Sequence, residues 1–209
     1  FQVPEDIAAR VPHEAMHATV AAIFEALGCP AEDARRCADT LLYADLRGIA
    51  SHGIAVLPYY LDKWQQGQIV PDAQLELVSE TTTTAVFAGN RSIGHYTSRR
   101  AMDTAIEKAR GAGLGSAVVR NSTHNGAISA YTIQAARAGL LGIVATACAP
   151  HVAPPGGRHG LHGTNPFSYA LPRPNADPLV FDLSTGHSSA KLKDKADAGG
   201  RLPEGTALD

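Results

Sequence analysis

Residues 44–53 read Ala44-Asp45-Leu46-Arg47-Gly48-Ile49-Ala50-Ser51-His52-Gly53. An acid, a base, a hydroxyl and an imidazole stand close together, between a helical pattern over Ala34–Tyr43 and another over Ile54–Gln66. Gly48 and Gly53 punctuate the junction, since glycine reaches backbone angles closed to other residues. Ser51 suits an N-cap, its oxygen accepting an unpaired backbone N–H of the second helix. His52 would then lie in the first helical turn, where the helix dipole disfavours the imidazolium. A neutral histidine can take a proton from an alcohol or return one to a carbonyl. A capped helix start with a solvated histidine fits the same spacing.

Outward from this stretch, His13–Leu27 and Ala31–Tyr43 place apolar residues close to a 3.6-residue period, with Gly28 and Pro30 between them. Pro58 should mark the true first turn of the third helix or kink it. From Gln74 the texture changes. Leu75–Val78 and Thr84–Ala88 read as a β-hairpin, Arg91–Arg110 as a helix, and Ser116–Arg120 as a strand. Ala127–Ala138 reads as a helix, Leu141–Ala147 as a buried strand, and Phe167–Leu171 and Leu179–Leu183 as two more strands. Ser184–Asp209 is polar and reads as a flap or an incomplete helix. The order predicts an α/β fold: an N-terminal helical unit over 1–73, and a mixed β-sheet with packed helices over 74–209. Gly111-Ala112-Gly113-Leu114-Gly115 follows a helix and precedes a strand, the reverse of a dinucleotide-binding loop, and reads as a helix end.

Composition bounds the partners. The chain has 209 residues, 44% apolar and 18% charged, with a formal charge of −2. Nothing there drives binding to nucleic acid or to a membrane surface. No apolar run approaches the roughly 18 residues that span a bilayer, and no signal-like run opens the chain. Cys29, Cys37 and Cys148 are few and scattered, which predicts reduced thiols and a cytoplasmic location.

Three further stretches carry chemistry. Arg120–Ala127 joins a strand to a helix, where backbone N–H groups can hold an anion and His124 and Asn125 add donors; a capped turn fits equally well. Pro150–Pro166 is a Gly- and Pro-rich loop containing Gly163-Thr164-Asn165-Pro166. Val180–Thr185 ends a strand with Asp182 and two hydroxyls. His151, His159, His162 and Cys148 around one loop leave a metal-dependent hydrolase or lyase as an alternative, although His-x-x-His on a loop is a weak ligand signal. No metal ligands are assigned.

Asp45-x-Arg47-Gly48-x-x-Ser51-His52-Gly53, followed by Leu57, Tyr60 and Gly67-Gln68-Ile69-Val70-Pro71, resembles the malate/L-lactate dehydrogenase type 2 family. This family comprises malate, lactate, sulfolactate and ureidoglycolate dehydrogenases and 2-oxo acid or cyclic imine reductases, all without a Rossmann fold. The Asn-Ser-x-His-x-Gly, Pro-x-Gly-Gly, Gly-Thr-Asn-Pro and Asp182 blocks follow in the family's order. The resemblance implies hydride transfer between NAD or NADP and a small 2-oxo or 2-hydroxy acid or an imine, with chemistry at CH–OH. It makes His52 the proton donor and acceptor, Ser51 its support, and His124 a third catalytic group. Arg47, Tyr60 and Thr164 become substrate contacts. His124, Asn125, Gly126, Ala127, Ile128, Asp182, Leu183 and Ser184 become cofactor contacts. Lys191, Lys193 and Asp194 fall near a position whose charged group pairs with the catalytic centre. A homodimer is implied as well.

Two departures stand out. Where many members carry an arginine for the substrate carboxylate, this chain has Val56, leaving Arg47, Arg91 or Tyr60 as replacements, or a less anionic substrate. Members are also usually longer, so the chain is expected to be a fragment, and a non-catalytic ligand-binding remnant is a second alternative.

Overall fold

The computed structural model describes residues 9–154, 156–186, 195 and 197–201. Most of the expected flap beyond Gly186, with Lys191, Lys193 and Asp194, lies outside the described residues.

Three helices open the chain: α1 (His13–Ala26), α2 (Ala31–Leu46) and α3 (Leu57–Gln65). Pro12 and Pro30 stand immediately before α1 and α2, where a missing N–H costs nothing. Gly28, at φ +97°, makes the left-handed turn between them. Their buried faces meet in a core of Val20, Phe24, Cys37, Leu41 and Tyr60, which also takes in Ile93 and Tyr96 from beyond residue 73. The helical unit is therefore packed into the rest of the chain.

β1 (Glu76–Glu80) pairs antiparallel with β2 (Thr84–Ala88), as the hairpin pattern predicts. β2 pairs parallel with β3 (Ser116–Arg120), and the crossover between them is the long helix α4 (Gly94–Ala112), which ends on Gly113 at φ +79°. A parallel neighbour requires such a crossover, because a tight turn only reverses the chain. α5 (Ser129–Arg137) leads to β4 (Gly142–Ala145), β5 (Phe167–Arg173) and β6 (Ala176–Leu183), an all-antiparallel sheet.

The fold is mixed α/β as expected, but two sequence-based expectations are corrected. Residues 54–66 are not one helix: 3₁₀ turns at Ala50–His52 and Ile54–Val56 precede α3, and Pro58 occupies its first turn. The strands also form two three-stranded sheets rather than one mixed sheet. β3 and β4 do not pair. They flank a trough of about 830 Å³, floored by small residues of α4 such as Ala101, Ala105 and Ala109. Strands pair only when their axes come within about 4.8 Å, and the helices hold these two further apart. No described helix is long and apolar enough to cross a membrane.

Candidate active site

The site grows from the end of α2. Gly48, at φ +71°, turns the chain, and the Ile49 N–H closes back on Ala44 O at 2.8 Å. Asp45 then clamps the segment that follows, its Oδ2 accepting the Ile54 N–H at 2.8 Å. Gly53 is required by this approach, since a Cβ there would lie 1.8 Å from Asp45 Oδ1. The clamp leaves Ser51 and His52 on a short 3₁₀ turn. Ser51 is not an N-cap: its Oγ lies 2.9 Å from His52 Nδ1. The α-helix starts only at Leu57, so its dipole, which fades within a turn, does not act on His52.

His52 stacks on His124, ring centroids 5.8 Å apart and planes 23° from parallel. His124 Nδ1 is 2.6 Å from Tyr60 Oη, and Tyr60 Oη is 3.0 Å from His95 Nε2. Tyr59 meets the edge of His124 at 5.8 Å. Three aromatic side chains, Tyr59 and Tyr60 of α3 and His95 of α4, thus gather around the imidazoles of His52 and His124. Beside them a concavity of about 200 Å³ is lined by Tyr59, Lys63, Gln68, Ile69, Thr123 and His124.

Burial keeps His95, Tyr60 and His124 neutral. His124 has one edge open to solvent, yet the packing around the ring, followed by the charge of His52, pushes its pKa down to about 4. His95 is fully buried and falls well below the ordinary histidine range, from desolvation first and then from His124, Arg99 and His52. Burial likewise raises the Tyr60 hydroxyl well above its usual range. At neutral pH the chain His95–Tyr60–His124 therefore carries no charge.

A second cluster lies at the start of α5. The Ser129 N–H donates to Asp182 Oδ2 at 2.9 Å, which joins the 124–128 turn to the end of β6 and brings these two expected cofactor stretches together. One of the backbone donors expected to hold an external anion, the Ser129 N–H, is thus taken by a carboxylate of the chain itself. Tyr43 Oη and Ser129 Oγ are buried neighbours with no well-formed hydrogen bond. Arg47 lies over the Tyr43 ring at 4.2 Å.

The remaining expected site residues fall as follows. Asn125 Nδ2 donates to Ser98 Oγ at 3.3 Å, and Gly126, at φ +70°, turns the chain into buried Ala127 and Ile128. Leu183 is exposed, and Ser184 Oγ donates to Gly186 O at 2.7 Å. The Thr164 carbonyl accepts the Thr185 N–H at 2.8 Å, tying the 150–166 loop to the end of β6. The three replacements considered for the Val56 position all have partners within the chain. Arg47 is stacked on Tyr43, Arg91 donates to Gly67 O at 2.9 Å, and Tyr60 is buried as a support for His124. Val56 itself packs on the helical core. Among the described residues, no three His, Cys, Asp or Glu side chains converge as metal ligands.

Sequence reasoning missed His95, Tyr59 and the Asp45 clamp. Asp45 stands in the opening stretch, and His95 is a histidine on the inward face of an amphipathic helix. Its partner is 35 residues away.

The sequence profile described as malate/L-lactate dehydrogenase matches residues 11–209. The chain is 37% identical over 201 residues to a malate dehydrogenase of Pyrococcus abyssi, covering 96% of this chain and 55% of that one. It is 39% identical over 188 residues to an L-sulfolactate dehydrogenase of Methanothermobacter thermautotrophicus, covering 90% and 55%. The crystal structure of malate dehydrogenase from Entamoeba histolytica superposes with a TM-score of 0.88 at 35% identity, over 94% of this chain and 55% of that one. The chain thus spans about 55% of the length of these relatives.

Proposed function

Since the chain belongs to the malate/L-lactate dehydrogenase family, we propose that it exchanges hydride between a nicotinamide cofactor and a small 2-oxo or 2-hydroxy acid, or a related imine. The observation that carries this reading is the His52–His124 pair, with Ser51 at Nδ1 of one ring and Tyr60 at Nδ1 of the other.

The family's dehydrogenases use NAD or NADP, and the fit can be judged at the start of α5. Two buried hydroxyls without a well-formed hydrogen bond, Tyr43 and Ser129, stand in the same cluster as the Asp182 carboxylate. Such a set suits the hydrogen-bonding, uncharged parts of a dinucleotide, its amide or ribose hydroxyls, and repels its phosphates. Asn125, Gly126, Ala127, Ile128, Asp182, Leu183 and Ser184 would hold the cofactor there. Once bound, the reduced nicotinamide supplies the hydride.

The chain's own residues supply the rest. His124 is neutral near pH 7, so proton transfer in the pair falls to His52. With Nδ1 engaged by Ser51, His52 delivers its proton from Nε2 to the carbonyl oxygen, or takes the hydroxyl proton in the reverse direction. Ser51 holds the ring in place throughout. A positioned acid–base group contributes about 10²–10⁴-fold. Lys63, the cation among the residues lining the concavity beside His124, anchors the substrate carboxylate in place of an arginine at Val56. Thr164 and Arg47 complete the substrate contacts in this reading. Self-association as a homodimer and a cytoplasmic location belong to it too, supported by exposed apolar Leu114, Leu141 and Ile143 and by three cysteines outside any disulfide.

The test is NADH and NADPH binding by fluorescence, on this chain and on His52→Ala. Binding by both proteins, with 2-oxo acid reduction lost in the variant, is the expected result. A folded chain that binds neither cofactor overturns the enzyme reading for these residues and leaves the non-catalytic alternative. Lys63→Met should raise KM for the acid and leave cofactor affinity in place.

A further inference from the structure

His95 is a buried titratable group that the proposed reaction does not use. It sits in the first turn of α4, its Nε2 3.0 Å from Tyr60 Oη, which is itself 2.6 Å from His124 Nδ1. Its Nδ1 is buried with no hydrogen-bond partner among the described residues. The surroundings are closed: a Cβ on Gly126 would come within 2.8 Å of His95 Nε2. That close approach, together with the bond to Tyr60, fixes the ring where it is.

The Tyr60 hydroxyl has one hydrogen and stands between two ring nitrogens, so the chain of bonds can run in only two directions. In one, Tyr60 donates to His95, whose own hydrogen must then sit on Nδ1 as a buried N–H with no acceptor. In the other, His95 Nε2–H donates to Tyr60, Tyr60 donates to His124 Nδ1, and the unpartnered His95 nitrogen is a bare lone pair. Orphaned buried N–H groups are rarer in folded proteins than under-used acceptors. This selects the second direction.

We propose that His95 is a positioning residue which, through the Tyr60 hydroxyl, fixes His124 as its Nε2–H tautomer and so makes it a neutral hydrogen-bond donor beside His52. The proposal rests on the reading of His124 as a group that faces the substrate. In that role His124 binds the developing alkoxide or the carboxylate without competing with His52 for the transferred proton.

The deciding experiment is ¹⁵N NMR of the whole chain, labelled at its histidine nitrogens, near neutral pH. Both His95 and His124 are expected to show a protonated Nε2 and a bare Nδ1. A proton on Nδ1 of either ring overturns the proposal. Tyr60→Phe removes the donor to His124, whose nitrogens should then move towards averaged shifts; unchanged shifts in the folded variant overturn it as well. In the kinetic arm, His95→Leu should lower kcat about 10-fold or more with little change in KM for the cofactor, as misplacement of a reacting group does. His95→Gln, which keeps an N–H towards Tyr60, should recover most of that loss. Equal losses in the two variants would make His95 a packing residue only. Should His95→Leu not fold, the wild-type and Tyr60→Phe spectra decide. The tautomers are readable without turnover, so failure of the proposed reaction and failure of this assignment give different results.

Discussion

Gly53 illustrates how little room the Ser-His-Gly turn has. Its φ of −90° is open to any residue, so the requirement for glycine comes from the neighbouring carboxylate and not from the backbone. Gly53→Ala places a methyl on Asp45 Oδ1, and either the clamp on Ile54 opens or the turn shifts. The expected cost is about 1–3 kcal/mol in denaturant unfolding, with a larger proportional loss of turnover, because His52 is next in the chain. At the same scale, the depressed His124 and His95 titrations give the protein an acid-sensitive window. Unfolded histidines titrate near 6.5, while folded His124 does so at about 4. Between those values the unfolded chain binds more protons, so stability rises with pH across the window and is lost on acidification. Urea midpoints measured from pH 7 down to pH 4 should fall, and His124→Gln should flatten part of that slope.

Among the elements, α5 depends most on a residue far away in sequence. It has no side-chain cap of its own, and the Asp182 carboxylate at the end of β6 satisfies the Ser129 N–H instead. Asp182→Ala should cost about 1 kcal/mol, the usual value of a lost cap, read as a shift in the urea midpoint. Asp182→Asn, which retains a carbonyl acceptor, should cost less. The start of α2 was legible from Pro30, while its end runs to Leu46, past the expected Tyr43, and the hairpin was legible from Thr-rich residues between two β-branched runs. The third helix was misjudged, because the 3.6-residue pattern of its apolar residues continues backwards through Ile54 and Val56. Those residues do pack on the helical core, but from 3₁₀ turns that the Asp45 clamp imposes.

At the scale of the whole molecule, α4 backs the first sheet and α5 the second, the two helices pack on each other, and the sheets remain apart at β3 and β4. Val118 and Ile143 on these strands stay more than half exposed. Backbone amides facing the trough should therefore exchange with solvent sooner than those of the central strand β5 or of α2; slow exchange there would mean that the edges are covered in solution. Local pattern was enough to place the other helices, the hairpin and the strands, since each depends on periodicity, proline and glycine within a few residues. The order of motifs was enough for the family. Pairing was beyond it, because an apolar run such as 141–147 suits a strand in either sheet, and which edge it meets depends on how far the helices stand apart. The site was beyond it for the same reason. Tyr60 and His124 are separated by 64 positions and meet only once α3 and the turn before α5 have packed on one core. Their packing, which sets the neutral state of His124, belongs to the tertiary structure and to no single stretch of sequence.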